Sequence, residues 1–259
     1  MDDPARAHTQ LHAGEIAALA RCPLSTYGDD ERSDWTVASV EMREGRSFFD
    51  PCYKGRAEGR VEAAVIGRHN VKNALAVYAM GRAMGLERQK LLDGFATFAG
   101  VKRRQEVKGE RRGVLVIDDF AHHPTAVRET SQAVKDAYPG RRLWAIFEPR
   151  SNTSRRNIFE HEFAQALALA DRVVVAGLYQ PEKIPEGQRL SVAKVVEEVN
   201  RSTRNSRARV IDKAEDIAEY VASNAASGDI VLVMSNGGFD GVQEKIMRAL
   251  ESTMPETAA

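Results

Sequence analysis

The stretch GVLVIDDFAHHPTAVRETSQAVKDAY, residues 113–138, decides the fold. Its first part, GVLVIDDF (113–120), is an unbroken apolar run closed by two acids. Apolar runs without polar alternation belong to strands covered on both faces. The second part, PTAVRETSQAVKDAY (124–138), has helical spacing and opens on proline, whose fixed φ suits a first helical turn. Between them lie Asp118, Asp119, Phe120, His122 and His123, where open parallel sheets bind ligands, outside the carboxyl end of a strand.

The same unit recurs downstream. RLWAIFEP (142–149), RVVVAGL (172–178), ARVID (208–212) and DIVLVM (229–234) are predicted strands. NIFEHEFAQALALAD (157–171), LSVAKVVEEVN (190–200, Ser191 as N-cap), KAEDIAEYVASNA (213–225) and GVQEKIMRALEST (241–253) are predicted helices. Strand–helix repetition with short links gives a Rossmann-like, doubly wound, mostly parallel α/β sheet. The first hundred residues are mixed α/β without a closed repeat. LHAGEIAALARC (11–22) is expected to be helical; CPLSTYG (22–28), WTVASVEMREG (35–45), RSFFDPCYKG (46–55) and RVEAAVIG (60–67) to form strands and turns; and 70–84 and 86–95 to be helices. A hinge in GVKRRQE (100–106) divides the chain into domains 1–101 and 102–259.

Composition narrows the function classes. Lys+Arg and Asp+Glu are 37 each in 259 residues, so no basic excess points to nucleic acid. The longest apolar runs are strand-sized, far short of a membrane span, and MDDPARAHTQ has no apolar signal core. Cys22 and Cys52 form neither a disulfide framework nor a metal-spaced set, so no metal ligands are assigned and a cytoplasmic location is expected.

Four stretches carry chemistry. In GRHNVKNALA (67–76), Asn70 and Asn73 share one face of a first helical turn; their amides match the N6 and N7 edge of adenine, and His69 can stack on a base. The alternative is that Asn70 merely caps the helix. In DDFAHHP, Asp119 can accept ribose hydroxyls while His122 and His123 precede an anion-attracting helix start; equally, Asp119 can simply order the turn. In FEPRSNTSRR (147–156), Arg150, Ser151, Asn152 and Arg155 suit carboxylates or phosphates, unless the turn is only a solvated basic loop. MSNGGFDG (234–241) brings backbone amides close to a ligand, or makes an ordinary tight turn. With Arg103 and Arg104 at the hinge, a ligand held between the two domains would touch all of these groups.

Taken together, these stretches resemble the Mur ligase family, ATP-dependent amide-bond formers of peptidoglycan synthesis. GRHNVKNALA, GVKRRQE and DDFAHHPTAV stand in that family's order and at about its separations, and the likeness covers residues 20–250. FEPRSNTSRR, MSNGGFDG and Gln105 look most like its murein-peptide recycling branch. The resemblance implies the last part of a central ATPase domain (1–101) followed by the C-terminal Rossmann-like domain (102–259). It implies ATP and Mg2+ as cofactors, with UDP-N-acetylmuramate and L-alanyl-γ-D-glutamyl-meso-diaminopimelate as substrates. His69, Asn70 and Asn73 would surround adenine, with His122 and His123 on the nucleotide. Arg104 and Asp119 would serve nucleotide binding and catalysis, and Arg150, Ser151, Asn152 and Arg155 would face peptide carboxylates. In the family reaction, ATP activates the muramyl carboxylate as an acyl phosphate, which the peptide amine attacks. The family's glycine-rich GKT loop is absent, since no Gly-Lys dipeptide occurs in these 259 residues. The metal ligands are expected in the part missing before residue 1, which a separate N-terminal subunit could supply. The isolated chain is therefore expected to be inactive. Ligation to free L-alanine, or a non-catalytic nucleotide- or peptide-binding module, are the alternatives; a dinucleotide oxidoreductase would need a G-x-G-x-x-G turn that is not there.

Overall fold

The computed structural model describes residues 20–203 and 207–252. Two sheets organise it. The first is antiparallel: β1 (Trp35–Arg43), β2 (Arg46–Tyr53) and β3 (Arg56–Ala57) lie in that order, and β4 (Val61–Ala63) pairs with the other end of β2. Helices α1 (Arg68–Ala83) and α2 (Arg88–Thr97) close it over a core of Trp35, Phe49, Val61, Leu75 and Tyr78.

The second sheet contains β5 (Glu106–Arg111), β6 (Val114–Asp119), β7 (Leu143–Phe147), β8 (Arg172–Val175), β9 (Ala208–Val210) and β10 (Ile230–Met234). Their spatial order is β5-β6-β10-β7-β8-β9, parallel throughout except for β5. Helices α3 (Pro124–Ala137), α4 (Glu160–Leu167) and α5 (Val192–Thr203) pack on the face of Leu115 and Ile117. Helices α6 (Ala214–Asn224) and α7 (Val242–Ser252) pack on the face of Val114 and Val116. Every residue of β6, β7 and β10 is buried, as unalternating apolar runs require. The expected parallel α/β sheet is thus observed. No described helix is long and apolar enough to cross a membrane.

Several boundaries moved. Strand β5 was not anticipated, because EVKGER is an edge with a charged, half-exposed pattern rather than an apolar run. CPLSTYG contributes only a single bridge, Tyr27 to Trp35. Of RVEAAVIG only Val61–Ala63 pairs, and 11–19 of the expected first helix lie outside the described residues. Ser191 does cap its helix, accepting from the Lys194 N–H at 3.3 Å. Asn70 does not: α1 starts two residues earlier, and Gly67, at φ 93°, occupies the cap. A Cβ on Gly67 would stand 2.7 Å from that of Ala133 in α3, so only glycine permits this approach of the two sheets' layers. Ile66 and Met42 pack into the core beside α3, joining the two halves.

Candidate functional site

A cavity of about 790 Å³ opens where α1 and α2 face β6 and α3. His69, Asn70 and Asn73 line it from one half, Arg104, Asp119 and Thr130 from the other. Asn70 donates from Nδ2 to Ile66 O (2.9 Å) and to Gln105 Oε1 (3.0 Å), and Asn73 Nδ2 donates to Asn70 Oδ1 at 3.4 Å. The two amides do share one face, but Asn70 is tied down and Asn73 is the freer of the pair.

Asp119 is drawn into the turn that precedes β5. It is buried, and its Oδ2 accepts the Gln105 N–H (2.8 Å) while Oδ1 accepts the Ala121 N–H (2.8 Å) and the Thr130 hydroxyl (3.3 Å). With three protein donors on its two oxygens, Asp119 orders the turn between Arg103 and Gln105 while also lining the cavity. Burial pushes its carboxyl above the usual range, against the pull of the two amides and Arg104. Burial likewise lowers the His69 imidazole, opposed by Glu129 and Asp119. The hinge turn itself holds Arg103 and Gln105 at φ 57° and 53°, a left-handed region that non-glycine residues occupy at a cost. Asp119 and Asn70 hold its Gln105 end, and Glu106 and the Phe120 N–H hold its Arg103 end.

His122 and His123 do not line this cavity, which corrects the expectation that one ligand would meet all four stretches. His122 Nδ1–H donates to Phe120 O at 2.8 Å and its ring meets Phe120 edge-on. His123 packs edge-on against Phe159 at the start of α4. The loop curls toward the neighbouring strand ends and away from α1.

Those strand ends form a second site. Sheet order places the loop after β10 between the loops after β6 and β7. The Arg150 guanidinium lies 3.6 Å from the Tyr179 ring centroid, and its Nη1 reaches Glu148 Oε1 at 3.4 Å. Among the described residues its Nε and Nη2 have no partner. Glu148 is buried and accepts the Ser235 hydroxyl. Arg155, expected to face peptide carboxylates, instead donates from Nη1 to Tyr179 O (3.0 Å) and Gln180 O (3.2 Å) and so braces backbone. The Ser151 and Ser154 hydroxyls, 2.8 Å apart, close their own turn, and Asn152 is exposed. Arg103 donates from Nη2 to the carbonyls of Ser235 and Gly237, while Arg104 lines the cavity. Adjacent hinge arginines therefore serve two different sites.

Sequence reasoning missed Gln105 as the amide that couples Asn70 to Asp119, and missed Thr130, Glu148 and Tyr179 altogether. Nothing in their local sequence marks them; only strand order brings them together. No group of three or more His, Cys, Asp or Glu among the described residues could hold a metal ion.

Comparison with known proteins agrees with this architecture. The family described as "Mur ligase, glutamate ligase domain" matches residues 103–237. A UDP-N-acetylmuramate–L-alanine ligase of Geobacter sulfurreducens is 34% identical over 92% of this chain and 51% of its own length. One from Desulfitobacterium hafniense is 30% identical over 89% of the chain and 51% of its own length. The chain thus spans about half the length of the curated relatives it matches. Among solved structures, a UDP-N-acetylmuramate-alanine ligase of Thermotoga maritima shares the fold, with TM-score 0.73 at 22% identity over 89% of this chain and 48% of that one. A murein peptide ligase of Psychrobacter arcticus has TM-score 0.58 at 31% identity over 89% and 46%. With its C-terminal parallel sheet and its family match in agreement, the chain belongs to the Mur ligase family.

Proposed function

We propose that this chain carries the adenine-facing wall and the acceptor-binding domain of an ATP-dependent ligase. That ligase joins UDP-N-acetylmuramate to L-alanyl-γ-D-glutamyl-meso-diaminopimelate. The observation that carries the reading is the hinge turn, whose neighbouring arginines address two sites: Arg104 the interdomain cavity, Arg103 the loop beside Arg150. In this reading residues 1–101 are the end of the central ATPase domain and 102–259 the C-terminal domain.

The cavity has room for a nucleotide, and it combines apolar walls such as Ala74 and Val77 with amides, which suits a flat purine. ATP, when bound, supplies the γ-phosphoryl group that activates the muramyl carboxylate. Asn73 and His69 hold the adenine side, Asn70 keeps Asn73 in register, and Arg104 adds positive charge. Asp119 acts by fixing the turn that presents Arg104. His122 and His123 flank the path from hinge to acceptor loop instead of touching adenine. Arg150 takes an acceptor carboxylate with its open edge, and Ser151 and Asn152 shape the loop around it. The phosphate cradle and magnesium ligands come from outside these residues, from a separate N-terminal subunit or a longer chain.

The second reading is ligation to free L-alanine. It draws support from the names of the curated relatives and from Arg155, whose Nη1 is committed to two backbone carbonyls. Titration calorimetry on the chain separates the readings. Saturable binding of the tripeptide, with L-alanine silent at millimolar concentration, is expected. The reverse order would replace the first reading with the second. Mixed with ATP, UDP-N-acetylmuramate and tripeptide, the chain alone is expected to give no ligation product; turnover would remove the requirement for an external cradle.

A further inference from the structure

The arginines of the acceptor loops divide into one that is presented and two that hold. Arg150 is gripped on both faces. On one face lies the Tyr179 ring, 3.6 Å from Cζ to centroid. On the other lies the Gly237 backbone, so close that a Cβ there would stand 1.9 Å from Arg150 Nε and 2.4 Å from Cζ. Gly237 has an ordinary φ, so its lack of a side chain serves space and not backbone freedom. Each jaw has its own brace. Arg155 donates to the carbonyls of Tyr179 and Gln180, and the Tyr179 N–H donates to Pro149 O at 3.3 Å. Arg103 donates to the carbonyls of Ser235 and Gly237, the latter at 2.7 Å. Glu148 holds the end of the fork through Nη1 and is itself fixed by Ser235. The segments after β7, β8 and β10 thus converge on one guanidinium.

We infer that Tyr179 and Gly237 form a two-jawed clamp that fixes Arg150 for an acceptor carboxylate, with Arg155 bracing the tyrosine jaw and the hinge residue Arg103 the glycine jaw. A free arginine side chain loses rotamer entropy on binding; one already held flat between two faces loses less, so its charge-assisted bonds contribute more to affinity. The brace at Arg103 also ties the acceptor pocket to the hinge, since the Arg103 backbone carbonyl accepts the Phe120 N–H at 2.8 Å and its N–H donates to Glu106 at 2.9 Å. Tyr179, Gly237, Arg103 and Arg155 are positioning residues in this scheme. The inference rests on the proposed acceptor role of Arg150.

The test uses the 259-residue chain, L-alanyl-γ-D-glutamyl-meso-diaminopimelate as probe, and two readouts. In ligand-free proton–nitrogen spectra, the Arg150 Nε–H resonance of the wild type is expected to be displaced by the Tyr179 ring current. It is expected to return toward the position of a free arginine in Tyr179→Leu and Gly237→Ala. By calorimetry the same variants, which change no charge, are expected to bind tripeptide about tenfold to a hundredfold more weakly, the span of one charge-assisted contact. Tyr179→Phe keeps the ring and is expected to bind as the wild type does. Arg103→Met is expected to weaken binding as well. Unchanged tripeptide affinity in Arg150→Met, or none in the wild type, would bring down the acceptor role and the clamp with it. A loss in Arg150→Met without any loss in Tyr179→Leu and Gly237→Ala would overturn the clamp alone. So would an Arg150 resonance at the free-arginine position in the wild type.

Discussion

The two ends of the C-terminal sheet treat buried acids in opposite ways. At the amino end, Asp229 accepts from Arg142 Nε (3.0 Å) and Nη2 (2.6 Å), from the Trp144 indole N–H (2.9 Å) and from the Ala226 N–H (3.0 Å). Burial opposes its charge, yet these donors outweigh burial and hold its carboxyl below the usual range. At the carboxyl end, Asp118 and Asp119 are equally buried, but burial wins and both are pushed above the usual range. Asp118 has one neutral donor, Gln243, and a looser contact to Arg103 at 3.5 Å. The amino end is built for stability around Asp229, whose two oxygens are met by four donors. The carboxyl end leaves charge incompletely compensated, as sites that meet ligands do.

Asp229→Ala should give the largest effect, because it strands a guanidinium, an indole N–H and an amide at once. A loss of about 3 kcal/mol in urea denaturation is expected, and a change within error would show that the amino end is not the fold's anchor. Asp119→Ala should cost less, about 2 kcal/mol, since the freed Gln105 and Ala121 amides can find water at the cavity wall. Its more telling signature is local: hydrogen exchange at 103–121 should quicken while strands β7 and β8 stay protected. Uniform loss of protection would erase the distinction between hinge anchor and core.

The smallest expected effect is a difference in pH response. Asp229, with a depressed folded value, contributes stability that is present above its unfolded value near 3.8 and is lost as pH falls through the folded one. Asp118, with a raised folded value, contributes stability that is full below 3.8 and lost as pH rises through the folded one. Relative to the wild type, Asp118→Asn should therefore gain in thermal midpoint on going from pH 4 to pH 7. An unchanged or falling difference over that interval would mean that the two ends do not differ electrostatically.

The arginines of 150–156 show how far the sequence could be read. Their cluster at a strand end suggests an anion site, and Arg150 lies against the Tyr179 ring with Nε and Nη2 unpartnered among the described residues. Arg155 has the same chemistry five residues on, yet faces the carbonyls of Tyr179 and Gln180. Local sequence could not distinguish them, because the carbonyls that capture Arg155 belong to the loop after β8, more than twenty residues away. The histidine pair shows the same limit: its place at a helix start was legible, its turn toward Phe159 was not.

By itself, the sequence determined the parallel α/β sheet and the family, because unalternating apolar runs, proline-opened helices and strand-end motifs are local signals. Tertiary structure alone decided which groups share a site. Inserting β10 between β6 and β7 sets Gly237 against Arg150 and brings the loop after β10 to Arg103. Strand order is fixed by long-range packing and hydrogen bonding, and no window of neighbouring residues encodes it.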